Sequence, residues 1–333
     1  MGSETAMLLL SETDVQQLLP MEKAIERVEA SFLAQHQGEA INRSRERIIL
    51  PHSSLHYMAA ALPGEKLVGI KAYMVSRSAW RFVVLLFDSE SSDLLAMIEA
   101  DHLGRIRTGA ASGVATRYMA RADASQVGLI GAGRQARTQL EAVARVRRVT
   151  DVRVFSRDPE RRLAFSREMG ERLGVNVTPA ETAEDATRPA DIVITATTSA
   201  QPLLFGDWLR PGTHINAIGA NMANRREVDQ RTLGRAALVA VDSLAQSKEE
   251  AGDLIQGFAQ LARGWERVVE LHEIVAGLRP GRSSHEEISL FKSNGIALWD
   301  VAVAGHVYRE ARRQGRGEEV ALWQHYGIDP LSH

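Results

Sequence analysis

The sequence predicts an α/β protein: a doubly wound parallel sheet preceded by a smaller, sheet-rich α+β domain. Three observations carry that reading. From residue 124 onward apolar strands alternate with amphipathic helices; before about residue 122 short apolar runs are separated by turn-formers; at the junction an apolar strand runs into a glycine-rich turn. A chain of 333 residues exceeds one compact domain and suits about two.

Taken in order, Ser11 to Asp14 is a capping sequence, and Pro20 suits the first turn of a helix from Met21 to about Gln37. Arg47–Pro51, His56–Leu62, Leu67–Val75 and Phe82–Asp88 follow as strands. With Pro63-Gly64 and Asp88-Ser89 between them, they imply a mainly antiparallel or mixed sheet. Arg107-Thr108 then opens a small-residue helix, Gly109-Ala110-Ala111-Ser112-Gly113. Beyond it, strands Gln126–Ile130, Asp151–Phe155, Asp191–Ala196, His214–Ile218 and Ala237–Val241 alternate with helices, which implies a parallel sheet covered on both faces. The last helical pattern, about Asn294 to Gln314, follows strand-like Ile288–Phe291 and is expected to return to the first domain. The expected division is residues 1–122 with a C-terminal helical piece, 300–333, as one domain and 123–299 as the other.

Composition excludes several function classes. With 44% hydrophobic and 25% charged residues the chain reads as a soluble globular protein, and a net charge of −2 offers no basic excess for nucleic acid. The absence of cysteine excludes a disulfide scaffold, thiolate metal sites and a cysteine nucleophile, and it fits a reducing cytosol. The ten histidines show no zinc-binding helical spacing, and His52 and His56 lie in strand-like sequence, so no metal is expected. No Gly-x-Ser-x-Gly elbow is present. Met1 to Val15 holds one short apolar run, Met7–Leu10, which is neither a signal peptide nor a span; a cytoplasmic protein with no membrane partner is expected.

The sharpest local signal is Val127-Gly128-Leu129-Ile130-Gly131-Ala132-Gly133-Arg134-Gln135-Ala136. Gly131 permits a tight turn, Gly133 lets the backbone approach a pyrophosphate, and small Ala136 lets helix and strand pack closely, while the helix N-terminus offers N–H groups to the anion. The doubly wound domain is therefore Rossmann-like and binds a dinucleotide. The next strand, Val152–Phe155, ends in Ser156-Arg157 where an NAD site usually carries an acid. A hydroxyl and a guanidinium suit a 2′-phosphate, which favours NADP(H) over NAD(H). Asp158-Pro159-Glu160 reads instead as the start of the following helix.

Among residues able to do chemistry, Lys71 is the one charge inside the apolar strand Leu67–Val75, on the face shared by Gly69, Tyr73 and Val75. Its blander reading is a lysine reaching solvent from an edge strand. Arg107 and Thr108, at a helix start, suggest an anion site; the alternative is an Arg at the end of a packed interdomain helix.

These residues together resemble the ornithine cyclodeaminase/mu-crystallin family. The resemblance spans nearly the whole chain and rests on Lys71, Arg107 to Ala111, Gly131 to Ala136, Thr195 to Ser199, Asn216 to Asn221, Arg226 to Asp229 and Phe291 to Gly295. It implies a homodimer joined through the N-terminal domains, an active site between the two domains of a subunit, and hydride transfer between nicotinamide C4 and the α-carbon of an amino or imino acid. By the family pattern Arg45, Lys71 and Arg107 hold the substrate carboxylate, with Arg43 and Arg47 on the same strand parity as Arg45; Lys71 is either a carboxylate ligand or also the proton donor. Gly219, Thr108, Thr197, Thr198, Lys292 and Ser293 match positions around the dinucleotide, and the wall that selects the substrate side chain is expected to come from loops.

Asn221 departs from the family. In its cyclodeaminases and alanine dehydrogenase an Asp stands there as the catalytic acid/base. An amide orients an imine nitrogen or a water but takes up no proton at neutral pH. With Lys71 and Asn221 as the catalytic pair, the expected reaction is reduction of a small α-imino acid, a cyclic ketimine such as Δ1-pyrroline-2-carboxylate. The alternatives are an amino-acid dehydrogenase acting on alanine, an ornithine or lysine cyclodeaminase, and a non-catalytic NADPH-binding protein of the crystallin kind.

Overall fold

A computed structural model of the protein describes residues 6–259, 261–262 and 264–322, so most of the expected 300–333 piece beyond its helix lies outside the described residues. The chain builds two sheets. In the first, the strand order is Glu318–Ala321, Ala6–Leu10, Leu94–Glu99, Trp80–Asp88, Leu67–Ser76, Ser53–Leu62 and Ile41–Asn42, with Glu46–Ile49 also paired to Ser53–Leu62. All pairs are antiparallel except Ala6–Leu10 against Leu94–Glu99. The run Met7–Leu10 is thus an interior strand, paired on both edges, with Met7, Leu8 and Leu10 buried.

The second sheet is parallel throughout: Asn176–Pro179, Asp151–Phe155, Gln126–Ile130, Ile192–Thr195, His214–Ala217, Ile288–Lys292, Ala236–Val241 and Val268–Glu270. The strand latest in sequence, Ile288–Lys292, inserts between two earlier ones, and all five of its residues are buried, as a strand flanked on both edges and covered on both faces requires. The order reverses beside Gln126–Ile130, which places the glycine turn at the topological switch point.

Two long helices bind the sheets together. The helix Ala297–Gln314 packs on the first sheet and on the helix Met21–His36, where Trp299 meets Phe32 edge to face at 5.5 Å. The small-residue helix runs Asp101–Met119, so Arg107 and Thr108 lie well inside it and not at its start. The helix dipole therefore offers them no terminal N–H groups, and the anion-site argument from a helix start does not hold. Its small residues serve packing: a Cβ on Gly109 would sit 2.4 Å from the Thr138 carbonyl of the helix Arg134–Val146. Asn216 Nδ2 donates to Thr116 Oγ1 at 2.9 Å, a buried polar tie from the parallel sheet to this helix.

Among the described residues no helix is long and apolar enough to cross a membrane, and no group of three or more His, Cys, Asp or Glu is placed to hold a metal ion. The Phe32–Trp299 contact gives a direct stability test. Phe32→Ala, at a fully buried site, is expected to cost about 3–5 kcal/mol in denaturant unfolding. Leu278→Ala, at 63% exposure, should change stability by no more than about 0.5 kcal/mol.

Candidate functional site

The sheets face each other across a cleft of about 500 Å³. Because the second sheet is parallel, the turns that follow its strands gather on one edge: Gly133, Arg134 and Gln135, then Ala196 to Thr198, Ile218, Gly219 and Asn221, then Ser293 to Gly295 line the cleft from that side. Opposite stands one face of the antiparallel sheet. Register puts Met58 beside Lys71, His56 beside Tyr73 and Tyr73 beside Phe82, all facing inward. The wall expected from loops is therefore a sheet face, which the period-two alternation of three strands assembles.

Lys71 and Arg107 meet in this cleft, from a strand and a helix far apart in sequence. Both are buried, and both contact one oxygen of Asp300: Lys71 Nζ at 2.7 Å and Arg107 Nε at 3.1 Å from Oδ1. Gly104 makes the room, since a Cβ there would lie 2.8 Å from Lys71 Nζ. Burial pushes the Lys71 ammonium down to about 8; Asp300 opposes that shift, and Arg107 and Arg45 add to it. Arg107 stacks over the Trp299 ring at 5.6 Å, and its Nη1 has no hydrogen-bond partner among the described residues.

Arg45 is placed differently from the expectation. It does not line the cleft; its Nη1 pairs with buried Glu250 and its Nη2 donates to the carbonyls of Asn294 and Gly295 at 2.9 and 3.1 Å. Arg47, two residues on and facing the same side, takes the lining position, ion-paired to Glu250 at 2.9 Å and donating to the Asn221 carbonyl at 3.3 Å. Strand parity cannot separate these two, and both pair with Glu250; the Asn294 and Gly295 carbonyls, which engage Arg45 alone, do separate them. Asn221 lines the cleft with its backbone held by Arg47.

On the dinucleotide side, Gly131 has φ +115, and a Cβ there would lie 2.5 Å from the Ala196 carbonyl. Gly133 caps the helix Arg134–Val146, and a Cβ on it would meet nothing within 4 Å, so the space before the helix N-terminus is open. Ala136, in the first turn of that helix, is buried. The Gly131 N–H donates to the Phe155 carbonyl at 2.8 Å, which sets the ends of the first two strands side by side, with Ser156 and exposed Arg157 just beyond. Neither of those two lines the cleft itself. Thr108 lines it while donating to the Gly104 carbonyl at 2.7 Å; Thr197, Thr198, Gly219 and Ser293 line it too. The open helix N-terminus and the tight turn fit a bound dinucleotide.

Lys292 does not line the cleft. It is fully buried, lies 2.9 Å from Asp253 Oδ2 and donates to the Ala220 carbonyl, so it holds the turn beneath Asn221. Three further carboxylates escaped sequence reasoning. Glu227 accepts from the Thr197 and Gly219 N–H groups at 2.6 and 2.7 Å; Asp253 accepts from the Glu227 and Val228 N–H groups; Asp242 accepts from those of Asn294 and Gly295 at 2.7 and 2.6 Å. Glu227 and Asp242 fix cleft-lining turns through backbone donors, and Asp253 in turn holds the backbone of Glu227. No residue spacing signals such partners, although Glu227 stands in the Arg226-to-Asp229 motif.

Beside Lys71 the wall is a row of uncharged rings. His56 stacks on Tyr73 at 4.5 Å, Tyr73 on Phe82 at 5.0 Å, and Trp80 lies 6.2 Å from Phe82. Burial, with Arg47 and Arg45 nearby, lowers His56 to about 4, so it is neutral at pH 7. Asp101 is the one acid lining the cleft among the described residues, and Arg105 and Arg134 already engage it.

The position of Lys292 has a measurable consequence. Lys292→Met strands Asp253 as a buried unpaired charge and is expected to lower unfolding stability by about 3–5 kcal/mol. Dinucleotide affinity of the folded fraction, measured by fluorescence titration, should stay within a few-fold of wild type.

Known proteins resemble this chain in sequence and in fold. The Delta(1)-pyrroline-2-carboxylate reductase of Bacillus cereus (strain ZK / E33L) is 32% identical over 326 residues, covering 94% of this chain and 99% of the relative. The structure of Thermococcus litoralis Delta(1)-pyrroline-2-carboxylate reductase in complex with NADH and L-proline superposes with a TM-score of 0.91 at 37% identity, covering 94% of this chain and 100% of the other. An archaeal alanine dehydrogenase dimer with bound NAD superposes with a TM-score of 0.90 at 31% identity, covering 96% and 100%. The model of one family matches residues 4–315, and with it the chain belongs to the ornithine cyclodeaminase/mu-crystallin family.

Proposed function

We propose that this protein is an NADPH-dependent oxidoreductase that reduces a small α-imino acid, foremost a cyclic ketimine such as Δ1-pyrroline-2-carboxylate, to the α-amino acid. One observation carries the reading: Lys71 and Arg107 face the same cleft that the glycine turn opens onto, beside a row of stacked aromatic rings. The names of the Bacillus cereus and Thermococcus litoralis relatives, and the NADH and L-proline held by the latter, support it.

The reduced nicotinamide, when bound, supplies a hydride to the imine carbon. Gly131, Gly133, Arg134, Gln135, Ala136, Thr108, Thr197, Thr198, Gly219 and Ser293 would hold the dinucleotide. Lys71 and Arg107 clamp the substrate carboxylate and so fix the neighbouring C=N. As the hydride adds to carbon, the C=N electron pair moves to nitrogen, which ends as an amine; an imine that arrives protonated needs no further proton. The Asn221 amide orients that nitrogen. Lys71 must be charged for the clamp, so kcat/KM should fall as pH rises through about 8.

The preference for NADPH rests on Ser156 and Arg157, and on the state of Asp158. Asp158 Oδ1 accepts from the Glu160 and Arg161 N–H groups and its Oδ2 pairs with Arg161 Nε at 3.1 Å, so it is committed to its own helix and not available to a ribose diol. A cyclodeaminase acting on ornithine or lysine fits less well, because the wall has no free carboxylate for a side-chain ammonium. A homodimer is supported by the outer face of the antiparallel sheet, where Ile48, Tyr57, Ile70 and Met74 are 49, 41, 37 and 39% exposed, and by the dimeric alanine dehydrogenase.

The test is a panel of imino and amino acids with NADPH and NADH. NADPH oxidation with Δ1-pyrroline-2-carboxylate is expected, and inertness toward every cyclic and acyclic imino acid would overturn the reading. Arg157→Ala should erode the NADPH preference by about 1.5–3 kcal/mol, roughly 10–100-fold. Asn221→Asp should bring ammonia release from a diamino acid if position 221 sets the reaction type.

A further inference from the structure

We propose that Asp300 is a positioning residue that keeps Lys71 and Arg107 both charged and side by side, and thereby sets the pH range over which the cleft holds a carboxylate. The proposal rests on the carboxylate-clamp reading above but goes beyond it, because it concerns a residue that does not itself line the cleft and acts through two that do. Asp300 lies in the first turn of the helix Ala297–Gln314 and is fully buried. One of its oxygens takes both cations; the other, Oδ2, is buried with no hydrogen-bond partner among the described residues, as is Arg107 Nη1.

Counting charge shows why the arrangement matters. Lys71, Arg107 and Asp300 together carry one net positive charge, which a single substrate carboxylate neutralises. Without Asp300 the same pocket would hold two adjacent buried cations. An arginine cannot shed its proton, so the lysine would lose its own. Charged and titratable groups face Lys71 from several packed elements, and Arg47, which also lines the cleft, is ion-paired to Glu250. Arg107 comes from the helix Asp101–Met119, and Arg45 from the stretch before Glu46–Ile49 with its charge spent on Glu250. His56 and the Phe82 ring lie on the neighbouring strands, and Asp101 and Arg105 pair with each other. Asp300 is the one carboxylate in contact with the ammonium among the described residues.

The chain has five lysines, Lys23, Lys66, Lys71, Lys248 and Lys292, so ε-13C-lysine NMR resolves Lys71 directly once Lys71→Arg identifies its resonance. In the full-length wild type it should titrate near pH 8. In Asp300→Asn the midpoint should fall by a unit or more, in Arg107→Gln it should rise, and in Trp299→Phe, which perturbs the same helix turn without changing charge, it should stay. The descending limb of kcat/KM against pH should move with the Asp300→Asn midpoint. An unchanged Lys71 midpoint in Asp300→Asn overturns the proposal; if that variant does not fold, an unmoved midpoint in Arg107→Gln does so. The titration needs no substrate. A protein inert to imino acids with these shifts intact would refute the reaction and leave the role of Asp300 standing, and turnover with unmoved midpoints would do the reverse.

Discussion

Two cations held within reach of one another in a buried cleft repel each other and lose their hydration, and a protein keeps them charged only by supplying a compensating anion. Here that anion is Asp300, which the chain reaches 229 residues after Lys71 and 193 after Arg107. The helix that carries it must therefore dock on the first sheet before the site exists, and the Phe32–Trp299 contact beside it is one of the buried apolar contacts that hold it there. Fold and site share one interface.

The same device recurs around the cleft. Glu227, Asp242, Asp253 and Glu250 are buried carboxylates whose partners are mostly backbone N–H groups or arginines on neighbouring turns. Desolvation raises Glu227, Asp242 and Glu250, while the donors around them pull the other way. Loops at the ends of parallel strands have few apolar contacts of their own; charge-assisted hydrogen bonds give them a fixed shape. A ligand meeting such a surface finds its binding groups already placed, which reduces the ordering cost of association.

The division of labour between the two sheets follows from their geometry. A parallel sheet delivers the turns after its strands to one edge, where small residues and N–H groups suit phosphates. An antiparallel sheet delivers a flat face, where alternate residues of three strands form a continuous wall. Lys71 sits where the two meet, on the flat face but under the helix Ala297–Gln314 and beside the long helix that joins the halves.

Much of this was legible in the residues themselves. The glycine turn declares its strand–turn–helix setting within ten positions, because φ at Gly131 and the cap at Gly133 are local properties. Lys71 stands out because a lone charge in an apolar strand needs a reason, and Asp158 reads as a helix cap from the Pro and Glu that follow it. Whatever depended on a partner distant in sequence was hidden. Arg45 and Arg47 share a face and a partner in Glu250, and the carbonyls of Asn294 and Gly295 draw Arg45 away from the cleft; Lys292 looks like a ligand of phosphate until Asp253 and the Ala220 carbonyl are seen to hold it. Asp300, the wall of stacked rings and the insertion of Ile288–Lys292 between earlier strands are likewise products of packing. Sequence determined where the backbone had to turn and which residue types could do the chemistry, since those follow from torsions and side-chain charge. Tertiary structure alone decided which charges face the ligand and which neutralise one another, because that depends on distances between segments that only folding brings together.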